Sequence, residues 1–202
     1  MYIKTIFLSK LVDTVEYYKL ANQVRLFLCN LNKEYPRHNE WFGKVIKSIL
    51  TNTDRDIVVF ILQNKIVGVS IIKCTTDEKK ICTLRVDENY SGKGIGSKLF
   101  ETSFSLLDTD KPLITVSSKN ISQFENILRK YNFHLKHVYG NKYLKDMSEY
   151  AYNGELAEST LLKEYSIFDS LSHKLEMVKD RIFIPSSQDC NCSSWGLEYS
   201  FV

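Results

Sequence analysis

The chain has 202 residues, of which 44% are hydrophobic and 25% charged, and carries a net charge of +3 at pH 7. That length supports one sizeable core, or one core with an appendage, and the charge tolerates an anionic ligand while falling far below the basic footprint of a dedicated nucleic-acid binder. No apolar run approaches the ~20 residues that span a bilayer, no small-residue cleavage site follows the N-terminal MYIKTIFLSKLVD, and the cysteines are odd in number and mostly lie in apolar segments, so the chain reads as soluble and cytoplasmic.

Residues 2–8, YIKTIFL, read as a short strand. From Asp13 as N-cap, the spacing of Val15, Tyr18, Val24, Leu26 and Leu28 predicts an amphipathic helix that stops near Asn30. Pro36 breaks the chain, after which Trp41, Phe42, Val45, Ile46 and Ile49 recur at helical spacing. DIVVFILQ and IVGVSIIK are β-rich runs, and the spacing predicts a hairpin joined at Asn64-Lys65, because Asn adopts the left-handed turn conformation easily. A third strand, KICTLRV, follows directly.

Beyond a glycine-rich loop the expected order is helix, strand PLITVS, helix SQFENILRKY, strand FHLKHVY and strand EYAYN. In the first of these helices Ile95, Leu99 and Leu106 share a stripe that Phe100, Phe104 and Leu107 widen. From Gly154 onward the character changes to one helical pattern, SLSHKLEMVKDRI, and a Pro/Ser/Asn/Cys-rich tail. The expected organisation is therefore a main domain over 1–153 and an extension over 154–202.

The loop itself, YSGKGIGSKLF, places three glycines within five residues at a strand-to-helix junction. Unpaired N–H groups and the helix dipole make such a junction a site for phosphate, and Lys93 and Lys98 add positive charge in the same turn. The spacing lacks the Gly-Lys-Ser/Thr of a P-loop. It also departs from a dinucleotide fingerprint, whose G-x-G-x-x-G belongs in a first strand-helix unit. Read from its residues alone, the loop is either an anion site or a helix start that packs tightly.

The wider segment ICTLRVDENYSGKGIGSKLF resembles the acyl-CoA-binding motif of the GNAT superfamily of N-acetyltransferases: an apolar strand, a short turn, then Q/R-x-x-G-x-G/A opening a helix. Ser91, Gly92, Lys93, Gly94, Ile95 and Gly96 fill the hexapeptide, with Ser91 where the family usually carries Arg or Gln. The element order resembles the family over roughly residues 1–153. The resemblance implies an α/β (α+β) fold, with a mixed, mostly antiparallel central sheet flanked by helices, and acetyl-CoA as co-substrate. It assigns cofactor binding to the hexapeptide, to Ser97 and to Asn120. It also implies a bulge in the strand at Leu84, Arg85 and Val86, where backbone would pair with pantetheine and an N–H would polarise the thioester carbonyl.

Acyl transfer to an amine requires proton removal from the ammonium and protonation of the leaving thiolate. The family often places a tyrosine as the acid four residues before a Gly-Phe pair; the pair here is Asn132-Phe133, which puts Leu128 at that position. Tyr131, three residues on, is the catalytic candidate beside a plain reading as a helix-end aromatic, with Tyr139 and Tyr143 as further candidates. For the base, Glu34, Glu40 and Glu88 lie in the right segments, and each also reads as a surface charge. Cys82 reads as a strand cysteine, and Cys190 and Cys192 lack a second ligand pair, so no metal is expected.

The acceptor is expected between EYPRHNEWF and YGNKYLKDMSEYAY, where Tyr35, Arg37, His38, Trp41, Tyr139 and Tyr143 are placed to receive it. The functional expectation is transfer of acetyl from acetyl-CoA to a primary amine. The rival is an acyl-CoA-binding module with little turnover, which meets a protein partner or a second copy through the C-terminal extension.

Overall fold

The computed structural model describes residues 2–52 and 54–156, which fall within one compact unit except for Leu156. Among the described residues eleven regular elements follow the expected order: β1 (Lys4–Phe7), α1 (Val15–Phe27), α2 (His38–Thr51), β2 (Arg55–Leu62), β3 (Lys65–Cys74), β4 (Lys79–Val86), α3 (Ile95–Leu107), β5 (Leu113–Ser117), α4 (Ile121–Lys130), β6 (Leu135–Gly140) and β7 (Ser148–Tyr152). The strands form one seven-stranded sheet in the order β1-β2-β3-β4-β5-β7-β6. All pairings are antiparallel except β4 with β5.

The helices cover both faces of the sheet, and the sequence of β2 shows how. Ile57 and Val59 point to the cluster formed with α1 and α2, whereas Val58 and Phe60 point to the cluster beneath α3. A strand covered on both faces reads as an unbroken apolar run, which is why DIVVFIL carries no polar alternation. On the α3 side Phe100, Leu107, Ile114, Val116, Leu128 and Phe133 form a further cluster. Burial of a side chain the size of Phe100 contributes about 1.5–3 kcal/mol.

Two polar contacts hold helices in place. Tyr17 is fully buried in α1 and its hydroxyl donates to the Ile46 carbonyl of α2 at 2.9 Å. Ser103 of α3 and Ser70 of β3 meet at 2.9 Å, both buried. Gly68 explains how α3 comes so close: a Cβ there would lie 2.9 Å from Leu99 Cδ1 and 3.1 Å from Ile95 Cγ2.

Four local expectations are corrected. The cap of α1 is Thr14, whose hydroxyl accepts from Tyr17 N–H at 3.2 Å, while Asp13 takes a left-handed φ of 68° outside the helix. The buried face of α1 is accordingly Tyr17, Leu20, Ala21 and Val24, and Val15, Tyr18 and Leu26 are exposed. The β2–β3 turn is Gln63-Asn64, one residue earlier than expected, with φ of 49° and 60°; two positive φ values match the twist of a two-residue hairpin. In α3 the inner stripe is Ile95, Leu99, Phe100, Ser103 and Leu107, and Leu106 lies at its exposed edge.

Candidate active site

The parallel pairing of β4 with β5 is short: Lys80 faces Leu113, Ile81 faces Ile114, and no later pair forms among the described residues. Yet β4 keeps its antiparallel partner on the other side as far as Val86, opposite Gly68. The sheet therefore forks, leaving one edge of β4 from Thr83 to Val86 unpaired beside the end of β5. The cause is visible in the β3–β4 register, where Ile71 faces Thr83 but Ile72 faces Ile81. Cys82 is the extra residue of a β-bulge, and a bulge bends and twists the strand that carries it. The bulge thus stands two residues before the Leu84–Val86 segment where it was expected. Cys82 packs toward α1 and α2 and its sulfur accepts from Arg55 at 3.6 Å.

The unpaired edge leads directly to the glycine loop. Asp87 accepts from Asn89 N–H at 2.8 Å and shapes a single short turn over Glu88–Tyr90, after which α3 begins. Gly92 and Gly94 have φ of 73° and 79°, a region costly for residues with a Cβ, and a Cβ at either would meet no atom within 4 Å. Backbone conformation, not crowding, is what requires glycine at these two positions. Gly94 caps α3 without a side-chain cap bond, and the first intrahelical N–H is that of Lys98, which donates to Gly94 O at 3.1 Å. The N–H groups of Ile95, Gly96 and Ser97 belong to the first turn, where no intrahelical acceptor exists. Lys93 and Lys98 are exposed beside them, and Lys93 Nζ lies 4.9 Å from the Tyr90 ring. An extended ligand with an amide-bearing arm and an anionic end fits this path: the arm along the β4 edge, the anion on the α3 N-terminus.

The side chains of β4 divide between the two faces. Leu84 and Val86 pack beneath α3, and Val86 Cγ2 would lie 3.9 Å from a Cβ on Gly96. Arg85 turns to the opposite face, 6.0 Å from the Phe27 ring of α1. Asn120, at the N-cap position of α4, donates from Nδ2 to Glu34 at 2.6 Å, and Lys119 reaches the other oxygen of the same carboxylate at 3.3 Å. Ser91 is exposed, and its N–H donates to Glu88 O at 3.2 Å.

Tyr131 closes α4 against α3. Its ring stacks on Phe100 at 5.9 Å and meets Phe104 edge-on at 5.2 Å. Its hydroxyl is 2.7 Å from Glu101 and 2.9 Å from Lys130 Nζ, with the Ser97 carbonyl at 3.5 Å. These partners belong to α3 and α4. Leu128 is 4% exposed in the core and has no ionisable proton to give.

On the α1/α2 face, the two segments expected to frame the acceptor do meet. The Tyr35 ring packs edge-on against Tyr143 at 5.1 Å, and the Tyr35 hydroxyl donates to Glu149 at 3.2 Å. Burial pushes the Tyr35 phenol up, and the Glu149 charge beside it adds to the effect. Glu149 lies on β7 directly opposite Ser117 of β5 and Tyr139 of β6, so these residues share one face. It is only 3% exposed. Burial also raises the Glu149 pKa, opposed by hydrogen bonds from Thr115 and Tyr35 and by the charges of Lys80 and Lys142.

His38 opens α2 and is 6% exposed, with neither ring nitrogen hydrogen-bonded. Burial, helped by the Arg85 guanidinium, lowers its pKa to about 4, so the imidazole is neutral at pH 7. Ser117 Oγ is a third buried atom without a partner. Buried polar groups seldom stay unpaired, so these atoms, two on the His38 ring near Arg85 and one at the end of β5, hold hydrogen-bonding capacity open to a polar ligand.

Sequence reasoning missed Glu149 and Ser117 as site residues. In SEYAY the period of two puts Glu149 with Ala151 and sets both Tyr150 and Tyr152 on the other face. With the aromatics taken as the core side, the glutamate reads as solvated. In the structure Glu149 and Ala151 are the buried residues of β7, and Tyr35 reaches the glutamate from outside the sheet. Of the earlier base candidates, Glu40 pairs with Arg37 at 2.7 Å in an exposed i,i+3 bridge, Glu88 is exposed, and Glu34 is held by Asn120 and Lys119.

Comparison with known proteins agrees with this architecture. A GNAT-family protein from Desulfovibrio desulfuricans superimposes with a TM-score of 0.56 at 10% identity, covering 75% of this chain and 97% of its own. The IAA acetyltransferase from Bacillus cereus gives 0.52 at 14% identity, covering 74% and 98%. The protein smu.2055 from Streptococcus mutans gives 0.51 at 19% identity, covering 75% and 97%. At these identities the likeness is one of fold. No curated protein matches the chain. The family described as Acetyltransferase (GNAT) domain matches residues 33–136, more than half the chain and the stretch that contains the fork, the glycine loop and α3. The protein belongs to the GNAT acetyltransferase family.

Proposed function

We propose that the protein is an acetyl-CoA-dependent N-acetyltransferase in which a primary amine attacks the thioester directly, both substrates being bound together. The observation that carries this reading is the continuity of the β4 fork with the glycine-led start of α3. The free edge of β4 from Thr83 to Val86 offers amide groups to the pantetheine arm, and one of those N–H groups serves as donor to the thioester oxygen. Gly92 and Gly94 hold the backbone in the left-handed conformation that turns the first N–H groups of α3 toward the pyrophosphate. The amine then approaches from the α1/α2 face, where Tyr35, His38 and Glu149 lie.

The test is release of free thiol from acetyl-CoA by the purified chain with a panel of primary amines, with mass spectrometry of the product. Amine-dependent thiol release with a product 42 Da heavier, the acetyl increment, is expected. Binding of acetyl-CoA with no amine-dependent release supports a second reading, an acyl-CoA-binding module with little turnover. Leu128, an apolar core residue where the family often has its acidic tyrosine, favours that alternative.

A further inference from the structure

We infer that Glu149 is the general base that takes the proton from the acceptor ammonium, held in place by the Tyr35 hydroxyl and flanked by Ser117 Oγ as a polar contact for the amine. The inference rests on the acetyl-transfer reading and names the residue that the family resemblance leaves unassigned.

Position comes first. The last β4–β5 pair is Ile81 with Ile114, and three residues further along each strand stand Leu84 and Ser117, on opposite sides of the opening. Glu149 is the cross-strand neighbour of Ser117. The carboxyl therefore stands one strand beyond the fork, on the face opposite α3. His38 looks onto the same face, near Arg85 on the far side of the opening.

The surroundings suit a base. Tyr35 from the segment before α2 donates to the carboxyl at 3.2 Å, and Thr115 donates from β5. Lys80 of β4 and Lys142 between β6 and β7 favour its ionised form, and Tyr139 of β6 lies beside it in register. Against these, burial favours the protonated form and wins. A carboxyl lifted above its ordinary range becomes a stronger base, and its proton affinity moves toward the pH at which it must work. Ser117 Oγ, cross-strand from Glu149, has no hydrogen-bond partner and is open to an amine, and both nitrogens of His38 are likewise unpartnered.

The Glu149 carboxylate takes one proton from R–NH₃⁺, and the nitrogen lone pair so freed attacks the thioester carbonyl carbon. The C–S bond breaks, the electron pair leaves with sulfur, and the second nitrogen proton passes to the thiolate. Glu149 returns its proton to water. The sum is R–NH₃⁺ plus thioester giving amide, thiol and one proton.

The experiment uses the full chain, acetyl-CoA and a panel comprising an alkyl amine, a diamine, an aminoglycoside and a peptide with a free N-terminus. Thiol release is followed from pH 6 to pH 9, with acetyl-CoA affinity measured by calorimetry. Glu149→Gln keeps the shape and the bond from Tyr35, and it is expected to lower kcat/KM by ~10²–10⁴ and to erase the acid limb of the profile, with acetyl-CoA affinity unchanged. Tyr35→Phe is the second variant, in case Glu149→Gln does not fold. Losing a donor that favours the carboxylate should move the acid limb to higher pH. Wild-type rates and an unmoved acid limb in both variants, or in Tyr35→Phe alone if Glu149→Gln fails to fold, overturn the inference and leave acetyl transfer standing. A wild-type chain that binds acetyl-CoA and is silent with every amine overturns acetyl transfer, and the base assignment with it.

Discussion

Ser97→Glu isolates the anion site from the fold. Ser97 is the third residue of α3 and half-buried, next to the N–H groups assigned to the pyrophosphate. A glutamate in the first turn of a helix gains about 0.3–1 kcal/mol from the dipole, so the folded state should not lose stability. A change at Gly94 would not separate the effects, because its φ of 79° penalises any side chain before charge is considered. For two unit charges ~6 Å apart at an effective dielectric of ~20, the repulsion is about 3 kcal/mol, or roughly 100-fold in affinity. Salt screens it, so the loss should shrink toward ~10-fold at high ionic strength. Calorimetric titration with acetyl-CoA at low and high salt, on protein whose thermal melting matches wild type, reads both numbers. Affinity within about twofold of wild type at low salt would refute the placement of the anion on this helix.

Other expectations follow from single contacts. Gly68→Ala should destabilise by ~1–3 kcal/mol in urea unfolding, because its Cβ would press on Leu99 at 2.9 Å and Ile95 at 3.1 Å inside a close-packed cluster. His38 has a folded pKa of about 4 against 6.5. The unfolded chain therefore binds the extra proton between those values, and wild-type stability should fall as pH drops from 6.5 to 4. At 1.36 kcal/mol per pH unit the loss is about 3 kcal/mol, which His38→Leu should abolish. Tyr131→Phe keeps the stack on Phe100 and removes the hydroxyl's contacts with Glu101, Lys130 and the Ser97 carbonyl, so turnover should stay within about threefold; a loss of ~10² or more at unchanged acetyl-CoA affinity would make its hydroxyl the proton donor. A chain ended after Leu156 should still bind acetyl-CoA, since the fork, the loop and β7 all precede it, and calorimetry on the shortened chain checks this.

What the sequence conveys well here is whatever depends on local pattern. The hairpin runs, the glycine loop and the order of helices and strands follow from periodicity and from residues with restricted backbones, and the structure keeps them. The faces of α1 are harder. VEYYKLANQVRLF carries apolar side chains on two overlapping stripes, and the choice between Tyr17 and Tyr18 is settled by the reach of the Tyr17 hydroxyl to Ile46 in another helix. The bulge at Cys82 is invisible for a similar reason, since it exists only in the register between two strands. Glu149 is the most instructive case. Its local pattern describes a strand with one wet face, and only the tertiary packing buries that face, with Tyr35 brought to the carboxyl from 114 positions away. The C-terminal helix, the Cys190 and Cys192 pair and the partner surface expected of the extension lie outside the described residues. Among the described residues no helix is long and apolar enough to cross a membrane.

The central claim is that one continuous path, from the free edge of β4 to the first turn of α3, holds acetyl-CoA. Amide hydrogen exchange of the full chain with and without saturating acetyl-CoA tests it directly, because the N–H groups involved lack partners in secondary structure. The account predicts new protection concentrated at Thr83–Val86 and Gly92–Ser97, with β1 and β6 unchanged. Protection absent from both segments at saturating acetyl-CoA, or confined to other parts of the chain, would contradict it.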